Sequence, residues 1–180
     1  MSMIGAFPAG LIGIAQAAQR ALPPVDLWNP PNCGAIDILI RADGVWLHEG
    51  SPIGRKELIR LFSTVLRKDP DGYCLVTPVE KLTIGVEDVP FRAVAVTRRD
   101  GDLVFITDVG DETVAGPDHP IRVEVSPDGE PRPYIHVRGG LEARIERSVF
   151  YELVEAAQRD ETGALGLRSG GVWFELGRDQ

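Results

Sequence analysis

Four Asp-Gly pairs, at Asp43-Gly44, Asp71-Gly72, Asp100-Gly101 and Asp128-Gly129, constrain the fold of this chain more than any other feature. The dipeptide tolerates the positive backbone φ values that tight strand-to-strand connections demand, and several of the four are flanked by β-branched or aromatic runs. Ile36-Asp37-Ile38-Leu39-Ile40 precedes the first pair and Val45-Trp46-Leu47-His48 follows it. Ala93-Val94-Ala95-Val96-Thr97 and Leu103-Val104-Phe105-Ile106-Thr107 flank the third. Antiparallel sheet is therefore expected over much of the chain.

Helical spacing is clearest in two places. From Gly54 to Lys68 the apolar residues Leu58, Leu61, Phe62 and Val65 fall at i, i+3, i+4 and i+7, and from Arg147 to Arg159 the residues Phe150, Leu153, Val154 and Ala157 repeat that order. The two stretches align without a gap at an offset of 92 residues: Ile53 with Ile145, Arg55 with Arg147, Leu58 with Phe150, Leu61 with Leu153, Arg67 with Arg159. Upstream, Ile38-Leu39-Ile40 and Asp43-Gly44 match Val123-Glu124-Val125 and Asp128-Gly129; downstream, Tyr73–Thr77 matches Val172–Leu176. A unit that cannot bury its sheet alone tends to pack on its copy. The expected fold is α+β, a duplicated strand-turn-strand-helix-strand unit with antiparallel sheets. Its N-terminal domain covers 1–80, with a leading helix over Leu11–Arg20 stopped by Pro23-Pro24, and its C-terminal domain covers 81–180. The segment from Pro78 to Pro120 adds strands to the second copy.

Composition narrows the function classes. The 180 residues are 43% hydrophobic and 26% charged, and no run approaches the roughly 18 apolar residues that span a bilayer. A net charge of −8 repels a phosphate backbone, so direct nucleic-acid binding is not expected, although a local cluster such as Arg55-Lys56 can receive one small anion. Cys33 and Cys74 lack a C-x-x-C context and read as buried, reduced thiols. No basic residue precedes the apolar part of Met1–Ala18, so a secretory leader is not expected and a cytoplasmic location is. Phosphate-binding glycine loops, nucleophile elbows and clustered metal ligands are missing, so neither a cofactor nor a metal is expected and catalysis is not the leading reading.

The stretch His48-Glu49-Gly50-Ser51-Pro52-Ile53-Gly54-Arg55-Lys56-Glu57-Leu58 holds the main candidate site. Two adjacent cations stand where a helix entrance favours negative charge, which asks for an anion nearby. Ser51-Pro52 reads as the helix cap and first turn, with Arg55 pointing from the entrance. Pairing of Arg55 with Glu49, Glu57 or a carboxylate of the other half is the competing reading. Trp46 and His48, two residues apart on one strand face, suit a ring stacked near that anion, while a solvent-facing strand-end histidine is the plainer alternative. Thr77, Glu80 and Lys81 end an apolar strand, where side chains escape the sheet yet stay fixed by it, and turn capping is the alternative there. His136 and Arg138 could repeat the arrangement in the second half.

The strings "CGAIDILI", "DGVWLHEGSPIGRKELIRLF" and "LVTPVEKLTIGVEDVPF" resemble the bacterial family called domain of unknown function 1285. The resemblance runs from about Leu27 to the C-terminus and is strongest from Cys33 to Phe91. It implies a C-terminal domain like a pleckstrin-homology barrel capped by a helix, a small-ligand site between the domains for a nucleotide-like ligand, and a role in signal transduction. Carried onto this sequence it points to Trp46, His48, Arg55, Thr77, Glu80 and Lys81, with no catalytic role.

The leading expectation is thus a non-catalytic sensor or adaptor for a small anionic, nucleotide-like ligand, bound by Trp46, His48, Ser51, Arg55, Thr77, Glu80 and Lys81. A protein-interaction module without a small ligand is the alternative, and an enzyme on nucleotides or phosphoesters is the weakest of the three. A signalling partner protein and a homodimer formed through sheet edges complete the expected partners.

Overall fold

Each Asp-Gly pair lies where the sequence pattern puts it, at the connection of an antiparallel strand pair. The computed structural model describes Phe7, Gly10, Gly13 and residues 21–178. Apart from Gly13, the helix expected over Leu11–Arg20 lies outside the described residues. The chain divides into two units, Met1–Asp88 and Val89–Gln180.

In the first unit the strands are β1 (Asn32–Ile40), β2 (Trp46–His48), β3 (Ser51–Pro52), β4 (Leu66–Asp69), β5 (Gly72–Val76) and β6 (Lys81–Val86), with helix α1 (Lys56–Thr64) between β3 and β4. They form one six-stranded sheet in the order β3-β2-β1-β6-β5-β4. The sheet is mixed and not purely antiparallel, because β6 returns beside β1 in parallel, Asn32 opposite Lys81 and Leu39 opposite Gly85. That pairing also corrects the boundary expected after Glu80: β6 is hydrogen-bonded between β1 and β5, so the unit ends only after it. Ile38, Ile40 and Trp46 from the sheet and Leu58, Phe62 and Val65 from the helical stretch are all buried.

Both helices are shorter than their periodicity suggests. α1 stops at Thr64, where the Ser63 and Thr64 hydroxyls each donate to a carbonyl three residues back, at 2.6 Å. Such local bonds compete with helix continuation. The chain then turns into β4, whose Leu66 pairs with Leu75. Of the apolar residues at the end of the predicted helix, Val65 is the C-cap and Leu66 the first residue of β4, and both are buried.

The second unit contains β7 (Phe91–Arg99), β8 (Asp102–Thr107), β9 (Glu112–Val114), β10 (Ile121–Val125), β11 (Pro131–Arg138), β12 (Leu141–Ile145), α2 (Arg147–Ala156), β13 (Gln158–Arg159), β14 (Ala164–Ser169) and β15 (Val172–Arg178). One sheet runs β10-β11-β12-β7-β8-β9, again mixed through the parallel pair β12·β7, and a second runs β13-β14-β15. At the β7–β8 hairpin Asp100 and Gly101 have φ of 53° and 91°, the left-handed pair that a two-residue turn requires.

The two units share an arrangement of three strands, a helix and three strands, with β7–β9 added to the second. The offset of 92 holds through the helices and beyond, which corrects one part of the predicted alignment. It carries Gly72–Val76 onto β14 and not onto the Val172–Leu176 stretch. Thr77 then falls on Ser169, and both are buried hydroxyls, 0% and 2% exposed. No helix among the described residues is long and apolar enough to cross a membrane.

Candidate functional site

Helix α1 begins later than Ser51-Pro52 suggests. Glu49 and Gly50 have φ of 50° and 77°, so they form a two-residue turn that folds the chain back as β3, with Ser51 opposite His48 and Pro52 opposite Leu47. Proline is tolerated there because β3 is an edge strand whose missing donor interrupts no ladder. Ser51 is therefore a strand residue beside His48 and not the helix cap. The N-cap is Arg55, whose carbonyl accepts from the N–H groups of Leu58 and Ile59 at 3.1 and 3.2 Å, and no side chain caps the helix. The entrance thus presents uncapped N–H groups beside Arg55 and Lys56, both exposed. Among the described residues, neither Glu49 nor Glu57 nor any other carboxylate is paired with the Arg55 guanidinium.

The equivalent entrance of α2 differs. Its N-cap Glu146 also lacks a side-chain capping bond, but Arg147, the counterpart of Arg55, is paired with Glu130, and Glu146 with Arg92 at 3.0 Å. Sequence adjacency suggests Glu146 as the neutralising acid for Arg147; the strand register instead directs each to a different partner.

Trp46 is a core residue, 1% exposed, and so cannot form an open wall for a ligand ring. Its carbonyl accepts from Ile53 N–H at 2.8 Å, which ties β2 to the residues just before Arg55. The indole N–H of Trp46 is buried without a hydrogen-bond partner among the described residues, a costly arrangement. His48 is half-buried. The Phe7 ring lies 4.5 Å from it at 37° and 4.7 Å from the Phe62 ring at 64°. Phe7 is a participant that sequence reasoning missed; its signal was a lone aromatic in a segment of small and aliphatic residues.

Thr77, Glu80 and Lys81 do not join this group. Lys81 lies four residues down β6 from the level of Leu39, roughly 13 Å, and β6 is two strands, roughly 10 Å, from β2. Thr77 is fully buried, and its hydroxyl accepts from Val79 N–H at 3.3 Å and Glu80 N–H at 3.0 Å, fixing the β5–β6 turn. Lys81 bonds Asp69 at 2.7 Å and Asp71 at 3.4 Å. Asp69 also receives both arms of Arg67, at 2.7 and 3.0 Å, while another nitrogen of Arg67 donates to the carbonyls of Val25 and Trp28 at 2.8 and 2.6 Å. This cluster is a structural clasp that fastens the short 3-10 turn at Val25–Leu27 to the sheet. The Arg67 hydrogen bonds, followed by that of Lys81, hold the Asp69 carboxyl down at about 2, against the opposing effect of burial. Burial first and the Asp69 charge second push the Cys74 thiol up to about 11, so it is a poor nucleophile. Cys33 is exposed, contrary to the expectation of two buried thiols.

In the second unit His119 and His136 approach each other, with 3.4 Å between their Nδ1 atoms. Gly140 N–H donates to His136 Nε2 at 3.1 Å, which places the proton of the neutral ring on Nδ1. A metal on that Nδ1 would force a hydrogen onto Nε2 against the glycine N–H. Arg138 pairs with Asp111, so these residues do not reproduce the α1 entrance. Among the described residues no group of three or more His, Cys, Asp or Glu side chains could hold a metal ion.

No curated protein matches the chain. A crystal structure of a DUF1285 family protein from Silicibacter pomeroyi DSS-3 is 46% identical, covering 96% of this chain and 97% of that one, with a TM-score of 0.86. A DUF1285 family protein from Shewanella baltica OS155 is 27% identical over 66% of this chain and 90% of that one, with a TM-score of 0.54. Family models match along the chain: the N-terminal domain of the domain of unknown function DUF1285 over residues 23–89, and the C-terminal domain of the same family over residues 90–176. With both domains present in order, the chain belongs to the DUF1285 family.

Proposed function

We propose that this protein is a non-catalytic sensor or adaptor in signal transduction that binds a small, nucleotide-like anion on its N-terminal unit, at the entrance of α1. The observation that carries this reading is the contrast between the two copies. Arg147 has Glu130 as its partner, whereas Arg55 stands exposed beside uncapped helix N–H groups with no acid paired to it among the described residues. Guanidinium and amide N–H groups together suit a phosphate or carboxylate group. Lys56 adds a second positive charge, and His48 and Ser51, neighbours across the β2–β3 hairpin, complete the group. Thr77 and Lys81 serve the turn and the Asp69 clasp and are not part of the proposed site.

The test is calorimetry of nucleotides and pyrophosphate on the full chain. Arg55→Ala should weaken binding about 10- to 150-fold, the loss of one charge-assisted hydrogen bond at 1.5–3 kcal/mol. Wild-type protein that binds none of these anions, or equal binding by the variant, rejects the assignment.

A second reading, a protein-interaction module with a pleckstrin-homology-like C-terminal unit, draws support from that unit's sheet edges. β9 and β10 are edge strands, and Val114 and Val125 on them are 44% and 70% exposed. Such an edge can accept an added peptide strand.

A further inference from the structure

Helices α1 and α2 hold equivalent places in the two copies, yet their outward faces carry opposite charge. On α1, Lys56, Glu57 and Arg60 are exposed, with Arg55 exposed at the N-cap. On α2, Ser148, Tyr151, Glu152 and Glu155 recur at i, i+3, i+4 and i+7 and are all exposed, so they form one solvent-facing stripe. The offset of 92 puts Glu152 where α1 has Arg60, and Ser148 where α1 has Lys56. Arg147, the exposed cation of α2, is taken by Glu130. The face of α1 is therefore net positive and that of α2 net negative.

Each helix also holds charge against its own dipole. Lys56 stands in the first turn of α1, at the positive end, and Glu155 in the last turn of α2, at the negative end and with no basic residue there. Among the described residues Lys56, Glu152 and Glu155 make no ion pair. Tyr151, beside the two acids, is 57% exposed. A ring next to unpaired carboxylates suits a guanidinium or ammonium group.

We infer that α1 of one molecule docks antiparallel on α2 of a second copy of this chain, Lys56 meeting Glu155 and Arg60 meeting Glu152, with Tyr151 against the arriving guanidinium. The spacings match. Lys56 and Arg60 lie roughly 6 Å apart along their axis and Glu152 and Glu155 roughly 4.5 Å, a difference that long side chains absorb. The antiparallel setting brings the entrance of α1 to the end of α2, where each set of charges meets the dipole end that favours it. A second copy is the occupant because the two faces complement each other in sign, spacing and dipole direction, and both are open to solvent in the single chain. Such a contact is polar and confined to one helix pair, so association is weak and salt-sensitive, with a dissociation constant on the order of 0.1–1 mM. It is independent of the anion reading of Arg55, which takes no part in the named pairs.

Sedimentation equilibrium of the full chain, from about 20 to about 500 µM protein at about 50 and about 500 mM NaCl, tests this. At low salt the mean mass should rise above that of one chain as concentration increases, and at high salt it should fall back. Glu152→Lys/Glu155→Lys gives a molecule with two positive faces, and Lys56→Glu/Arg60→Glu one with two negative faces. Each alone should associate at least about 10-fold more weakly than wild type, because like charges are then apposed. All four residues are exposed, so neither variant disturbs the core. An equimolar mixture of the two restores opposite faces and should associate as wild type does. A wild type that stays monomeric at low salt, association that survives in either variant alone, or a mixture that stays monomeric overturns the inference. Pairing through sheet edges or any other face produces the second of these outcomes.

Discussion

Replacing Asp69 by asparagine keeps the shape of the clasp and removes the acid that Arg67 and Lys81 share. The drop of the carboxyl from 3.8 to about 2 corresponds to roughly 2.5 kcal/mol of preferential stabilisation of the charged form. With the side chain still 15% exposed, solvent screening trims this to about 1–2 kcal/mol. Asp69→Asn also leaves Arg67, 12% exposed, without its counter-charge, which raises the expected cost to about 2–3 kcal/mol. Because folding depresses this pKa, the contribution is complete above the unfolded value near 4 and is lost as pH falls through 2. The gap between wild type and variant should therefore be full at pH 6 and nearly closed at pH 2. Cys74 is buried beside the clasp and supplies a local probe. In a Cys33→Ser background, its rate of modification by 4,4′-dithiodipyridine reports opening of this unit rather than of the whole chain. A gap below about 0.5 kcal/mol at pH 6, or one equally large at pH 2, would refute the electrostatic account.

Two further predictions concern the second unit. Ser169→Ala removes a buried hydroxyl that accepts from Leu103 N–H at 2.8 Å and donates to the Ala115 carbonyl at 2.7 Å; it should cost about 1–3 kcal/mol in urea unfolding, because both backbone groups lose their partner. Gly166→Ala puts a methyl 2.4 Å from the Phe174 carbonyl oxygen and 2.7 Å from the Trp173 ring. It should lower the melting temperature by an amount equivalent to about 1–3 kcal/mol, and an unchanged melting temperature would show that β14 and β15 can separate freely.

The features legible in the sequence were those set by neighbours along the chain. Asp-Gly chemistry located four antiparallel connections, and the 3.6-residue spacing located both helices, because each signal is local and repeated. The parallel pairing of β1 with β6 has no local signature: Asn32 meets Lys81 only after the intervening hairpins and helix have folded. That long-range contact explains the misplaced boundary after Glu80 and, with the parallel pair β12·β7 in the second unit, why the expected antiparallel sheets are mixed. Ser51-Pro52 was misread because a glutamate, and not asparagine or aspartate, takes the left-handed position before Gly50. Helix-entry residues thus fell on an edge strand. At the candidate site the unusual charge of Arg55-Lys56 was readable, but the assignment of Lys81 to Asp69 and of Arg147 to Glu130 depends on strand register, which periodicity does not supply.

The parallel union of β1 and β6 has a further consequence during translation. β1 leaves the ribosome early, pairs on one side with β2, and must wait until Val86 has been synthesised before its other side is covered. A nascent strand with a bare apolar flank invites pairing with a neighbouring chain. Asp37, exposed in the middle of β1 between Ile36 and Ile38, places a negative charge on one face of that waiting strand. A charge in the middle of a strand disfavours its pairing with a second copy before the partner strand arrives.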